Sequence, residues 1–274
     1  MKKLLMSVAV LLATHFSVAV ASAQDCTTQV KTITPGTLIV AGYDYAPFSV
    51  PKPDGSLGGI DFDIVAAVAE ENCLKVMPMA VDPSAVVQAV VAGKADVAIG
   101  GWNRTESRAK VLDISTPMYL DPTAIFSKEG IDTIKGLEDK TVGTVSGYLF
   151  VPQLQAILGD KLKLYPNTVA LAQDLDAGRI DVAVDGYTYG IYSQKNSGAY
   201  KGIQIKIPQP DERVGSTVRP PQAGVLYTKG NESLGKALDA GIERLRKEGK
   251  IKDAVVAAGF DPALAEVGEP YFVK

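Results

Sequence analysis

AGKADVAIGG spans residues 92–101 and AGRIDVAVDG spans residues 177–186, so one chain writes nearly the same ten residues twice, 85 positions apart. Each copy decodes as a helix end, a glycine turn and a short apolar strand. Before the first copy, Asp82 is placed to cap a helix with Pro83 in its first turn, and the Val86, Val87, Val90, Val91 stripe stops at Gly93. Before the second, Asn167 or Thr168 opens a helix through Leu171, Ala172 and Leu175, closed at Gly178. The strands Asp96-Val97-Ala98-Ile99 and Asp181-Val182-Ala183-Val184 lack polar alternation, which suits a parallel sheet covered on both faces. Matched units imply two α/β lobes, each with a strand whose carboxyl end reaches a crevice. Helix-glycine-strand also recurs throughout α/β proteins, so the repeat alone does not require two lobes.

The remaining patterns agree. Residues 38–41 read as a strand and 61–70 as a helix, with apolar positions 62, 64, 65, 68 and 69. Thr141 to Val145 is a second strand that runs through Ser146-Gly147 into a helix over 149–158. Unpaired N–H groups at such a helix start favour an anion, here a ligand carboxylate. Residues 224–227 read as a strand, 231–248 as a long amphipathic helix and 251–258 as a closing helix.

Composition restricts the chemistry. Residues 1–23 read as a secretory signal: Lys2 and Lys3, an apolar run, then Ala21-Ser22-Ala23 before Gln24. Removing those two lysines leaves 26 basic against 31 acidic residues, a net charge of −5, which argues against nucleic acid or an anionic membrane as partner. The only histidine is His15, so the mature chain has no imidazole for Ser-His-Asp or Cys-His catalysis or for the usual zinc sets, and no metal or cofactor is expected. Cys26 and Cys73 are the only cysteines. In an oxidising compartment such a pair is expected to form a disulfide, worth about 3–4 kcal/mol in the chain-entropy model.

One polar stretch stands out. Thr105 is placed to cap a short helix, which puts Arg108 in its first turn, against the helix dipole. A guanidinium fork suits a bidentate grip on a carboxylate. The ordinary alternative is a solvated arginine paired with Glu106 or Asp113.

The chain resembles the bacterial extracellular solute-binding proteins, family 3, which serve polar amino acid ABC transporters. The resemblance rests on APF at 46–48, DGSLGGIDFDIVAAVA at 54–69, AGKADVAIGGWNRTESRAKVLDISTPMY at 92–119, TVGTVSG at 141–147, AGRIDVAVDG at 177–186, and GVLYTKGN with LRKEGKI near the end. It implies a periplasmic-binding-protein-like α/β fold: two lobes joined by two crossing segments, with a ligand cleft between them. Lobe 1 would comprise 24–127 and the return segment 224–274, and lobe 2 would comprise 128–223, with crossings near Ile125 to Lys128 and Gly224 to Thr228. The resemblance also implies a monomeric periplasmic carrier, not an enzyme, that takes an amino acid or related carboxylate to a membrane permease.

By the same resemblance, Arg108 grips the ligand carboxylate. Backbone groups near Gly101 and Asn103 add hydrogen bonds, the Gly147-Tyr148 turn closes from the other lobe, and Tyr45 and Trp102 pack on the ligand. Asp185 is expected to meet an ammonium group. Here the chain departs from the pattern: relatives carry that aspartate five residues after the strand's first Asp, Asp185 follows Asp181 by four, and an ungapped register puts Gly186 in its place. The helix opening at Asp82-Pro83-Ser84 also lacks an aromatic that some relatives supply. Tyr43, Tyr148, Tyr187, Tyr189 and Trp102 would then line an aromatic pocket for a bulkier cationic or aromatic ligand. Two other functions occur on this fold: a cyclohexadienyl dehydratase acting on prephenate or arogenate, with Asp185 or Glu106 as acid or base, and a sensor module.

Overall fold

The computed structural model describes residues 30–273, so the expected signal segment and Cys26 lie outside the described residues. Two five-stranded sheets organise the chain. The first runs in the order Lys75–Ala80, Thr37–Gly42, Val97–Ala98, Leu226–Tyr227, Asp113–Ile114. The second runs Leu162–Tyr165, Val142–Val145, Val182–Gly186, Thr123–Ser127, Gln204–Lys206. Both follow one plan, in which the first three strands are parallel and the last two pair antiparallel. The two copies of the repeat are the central strands, Val97–Ala98 and Val182–Gly186, and every residue of both is buried. That explains their unbroken apolar character.

Beside each central strand lies one that the chain brings from far away in sequence. Leu226–Tyr227 joins the first sheet on the return, and Thr123–Ser127 joins the second on the way out. The expected crossing near Ile125 to Lys128 is therefore mostly a buried interior strand, paired on one side with Val182–Gly186 and on the other with Gln204–Lys206. Between the sheets, Tyr119–Leu120 pairs antiparallel with Gln222–Ala223. These two short segments belong to neither five-stranded sheet.

The helices form where caps and apolar faces agree. Ile60–Glu71 buries Ile64, Val65, Val68 and Ala69, and the valine stripe of Pro83–Val91 buries Val86 and Val90. The 16-residue helix Glu232–Lys247 buries Leu234, Leu238, Ile242 and Leu245. Helix Thr168–Asp176 is capped by Asn167, whose side chain accepts from the Ala170 N–H at 2.9 Å. Asn167→Ala should cost about 1 kcal/mol in urea unfolding and leave ligand affinity unchanged, because the cap lies outside the cleft. Among the described residues no helix is long and apolar enough to cross a membrane, and no group of three metal-ligating side chains occurs.

Candidate functional site

At the end of the first repeat the backbone turns through Gly100 and Gly101, with φ of 120° and 67°, a region that only glycine enters easily. Glycine is needed here for space as well. A Cβ on Gly100 would stand 2.4 Å from the Tyr43 ring, and one on Gly101 would stand 2.5 Å from the Tyr45 ring. The Gly-Gly end thus lets two tyrosines lie flat against the strand end. The N–H groups of both glycines donate to Asp61 Oδ2, each at 2.9 Å, and Tyr119 donates to Asp61 Oδ1 at 2.6 Å. Asp61 is fully buried, and desolvation pushes its carboxyl up to about 6 against the pull of these three donors. The Gly101 N–H is committed to Asp61, while Gly101 itself lines the cavity.

Thr105 caps the helix Glu106–Val111 as expected, its hydroxyl accepting from the Arg108 N–H at 3.2 Å. That fixes Arg108 in the first turn. Its guanidinium lies 4.7 Å over the Trp102 ring, donates to the Asn103 carbonyl at 2.7 Å, and reaches across to the Gly147 carbonyl at 3.1 Å. The alternative surface pairing is absent, since Asp113 is bridged to Lys229 and no ion pair among the described residues includes Arg108. Burial pulls the Arg108 guanidinium down to about 10, which still leaves it charged at neutral pH.

Arg108 lines a small cavity between the lobes. Of the residues expected in the site, Tyr45, Gly101, Trp102, Asn103 and Tyr148 line it too. Asn103 Oδ1 is buried there without a hydrogen-bond partner. Gly147 lies outside this cavity, on a wider neighbouring groove that shares Trp102, Arg108, Tyr148 and Leu149 with it, and touches the site through its carbonyl. Asp185 is not on the cavity wall. It is fully buried behind it, with Oδ1 accepting from the Gly186 N–H at 2.7 Å and Oδ2 unpartnered. Burial raises its carboxyl well above the ordinary range, and the Gly186 N–H only partly offsets this.

Sequence reasoning missed Asp121, Thr123, Leu149 and Phe150, which line the cavity, and gave Gly186 no role beyond its register. Asp121 is 2% exposed. It accepts from the Tyr45 hydroxyl at 2.7 Å and from the backbone N–H and hydroxyl of Thr188. Its carboxyl is raised by burial, against the pull of those donors. The expected tyrosine cluster forms in part: Tyr45 stacks on Tyr189 at 5.2 Å and meets Tyr148 edge-on at 6.3 Å, while Tyr43 leans on Trp102 at 5.4 Å. Tyr187 does not line the cavity.

Known proteins with this geometry were found by sequence and by structure. The chain is 28% identical over 223 residues to the L-arginine-binding protein of Pseudomonas aeruginosa, covering 76% of this chain and 82% of that one. It is 26% identical over 224 residues to the L-cystine-binding protein TcyJ of Escherichia coli, covering 79% and 80%. Among solved structures, an ancestral arginine-binding protein bound to arginine matches with a TM-score of 0.71 at 26% identity, covering 81% of this chain and 97% of that one. The amino acid ABC transporter substrate-binding protein AbpA of Streptococcus pneumoniae, bound to L-arginine, matches with a TM-score of 0.72 at 25% identity, covering 84% and 96%. The family model for bacterial extracellular solute-binding proteins, family 3, matches residues 38–256. Two α/β lobes closed around a half-buried arginine, and a family match along most of its length, make this chain a member of the bacterial extracellular solute-binding proteins, family 3.

Proposed function

We propose that the protein is the solute receptor of an ABC uptake system and captures an amino acid or a closely related carboxylate between its lobes. The observation that carries this reading is Arg108: a charged guanidinium inside an interlobe cavity, tied to backbone carbonyls at Asn103 and Gly147, with no acidic side chain to neutralise it. A ligand carboxylate supplies the missing charge and bridges the lobes, which stabilises the closed form that a permease would recognise. Trp102 supports the guanidinium from behind, and Tyr45 and Tyr148 pack on the solute. Arginine- and cystine-binding relatives support an amino acid as the solute class.

The same reading makes the chain a carrier and not a catalyst. Residues 1–23 would be removed on export, and the mature monomer would work in the periplasm, meeting its permease transiently. Cys26 and Cys73 would be bridged, and no free thiol occurs among the described residues. Lobe 1 would comprise 24–127 and 224–274 and lobe 2 would comprise 128–223, except that Thr123–Ser127, a strand of the second sheet, moves to lobe 2. Isothermal calorimetry of the mature protein against the twenty L-amino acids tests the assignment. Micromolar affinity for at least one is expected, equivalent to about 8 kcal/mol. Silence across the panel, with turnover of prephenate, would replace the receptor by an enzyme.

A further inference from the structure

The cavity that holds Arg108 also holds a buried acid, and neither has a charged partner among the described ion pairs. Taking a carboxylate out of water without a cation is costly, and the cost falls when a positive group arrives. Asp121 stands immediately after Tyr119–Leu120, on the first passage between the lobes. It receives a donor from each side: Tyr45 from the first lobe, Thr188 from the second. Three donors fill three of the roughly four acceptor positions of a carboxylate, so one more N–H can be accepted.

The neighbouring glycine explains how Asp121 comes to lie there. A Cβ on Gly186 would stand 1.9 Å from the Tyr45 hydroxyl and 2.8 and 3.1 Å from the two carboxylate oxygens of Asp121. Any side chain at the end of the Val182–Gly186 strand would occupy the space that the Tyr45–Asp121 pair fills. Asp185, the other acid at this strand end, does not line the cavity and takes its own neighbour's N–H.

From this placement we infer that Asp121 receives the cationic group of the solute, so that Arg108 and Asp121 together select a zwitterion that carries a carboxylate and an ammonium or guanidinium. The inference rests on the receptor reading above and adds the second pole of the ligand. It also places the cation on the passage between the lobes, where Asp121 already joins a residue of each. The ordinary alternative is that Asp121 only caps the helix Tyr187–Asn196 through Thr188. Asparagine and serine cap as well as aspartate does, so they separate the two roles.

The test is calorimetry on the mature protein with the tightest-binding L-amino acid of the panel and with its des-amino analogue. Wild type is expected to favour the amino acid at least about a hundredfold. Asp121→Asn and Asp121→Ser should each weaken the amino acid by about a hundredfold, leave the des-amino analogue within about threefold, and keep the thermal midpoint within a few degrees. Equal loss for both probes would assign Asp121 a structural role and overturn the inference, as would an amino acid bound by Asp121→Asn within about threefold of wild type. If wild type binds no amino acid, this inference falls, whereas the receptor reading falls only if prephenate is turned over as well. An amino acid that binds regardless of Asp121 sinks the inference alone.

Discussion

Arg108→Ala is expected to weaken binding of any carboxylate ligand by about a hundredfold to a thousandfold, because removing one partner of a buried charge pair costs about 3–5 kcal/mol. Its effect on folding should be small. The side chain contributes two hydrogen bonds to backbone carbonyls and one contact with the Trp102 face. Such bonds contribute about 1 kcal/mol each, and relief from burying the guanidinium offsets part of that. Arg108→Lys separates charge from shape: an ammonium keeps the attraction but cannot donate in parallel to both carboxylate oxygens, so about a tenfold to thirtyfold loss is expected. Calorimetry for affinity and urea unfolding for stability check the two halves independently. An Arg108→Ala protein that binds as tightly as wild type removes the foundation of the proposed function.

How much of this was legible beforehand depended on whether the signal was local. The repeated AGxxDVAxxG units, the helices capped by Thr105 and Asn167 and the T-x-x-R turn are written in consecutive residues, and each appears where its local chemistry puts it, while Asp82 stands at its helix start without a side-chain cap bond. Arg108 was readable for the same reason, since Thr105 fixes it in the first helical turn. The strand Lys75–Ala80 was not, because Pro78 argues against a strand. It sits at the sheet edge, where a missing N–H is tolerated. Helix Tyr187–Asn196 carries three tyrosines and a glycine, a poor helical composition, and is held by packing against the second sheet.

Asp121 was invisible for a different reason. An aspartate before a proline reads as an ordinary turn, and nothing in YLDPT says that Tyr45, 76 positions earlier, and Thr188, 67 positions later, converge on it. Asp185 shows the converse. Its place in the repeat pointed to the cleft, yet it is Gly186 that lines the cavity, while Asp185 is enclosed beside it. One residue of register separates a ligand contact from a buried acid.

Asp61→Ala should be the most damaging single change to the fold, because it strips the acceptor from the Gly100 N–H, the Gly101 N–H and the Tyr119 hydroxyl at once. At about 1–3 kcal/mol for each buried donor left unmade, offset by loss of the desolvated carboxyl, a net cost of about 3–5 kcal/mol is expected in urea unfolding. The strand end that carries Trp102 and Asn103 should loosen with it, so affinity should fall as well. Asp61→Asn behaves differently: the amide oxygen still accepts from both glycines and the NH₂ can donate to Tyr119, without a buried charge. The two variants also differ from wild type in pH dependence. With a native value near 6 and an ordinary value of 3.8, wild type keeps a proton on Asp61 that the unfolded chain has already released. Its stability therefore falls as pH rises from about 4 to about 6, by up to about 3 kcal/mol from this group. Subtracting the Asp61→Asn stability curve from that of wild type should reveal that slope, with the asparagine variant gaining relative to wild type towards neutral pH. A flat difference between pH 4 and pH 7 would mean that the three donors outweigh desolvation and that Asp61 is ionised throughout.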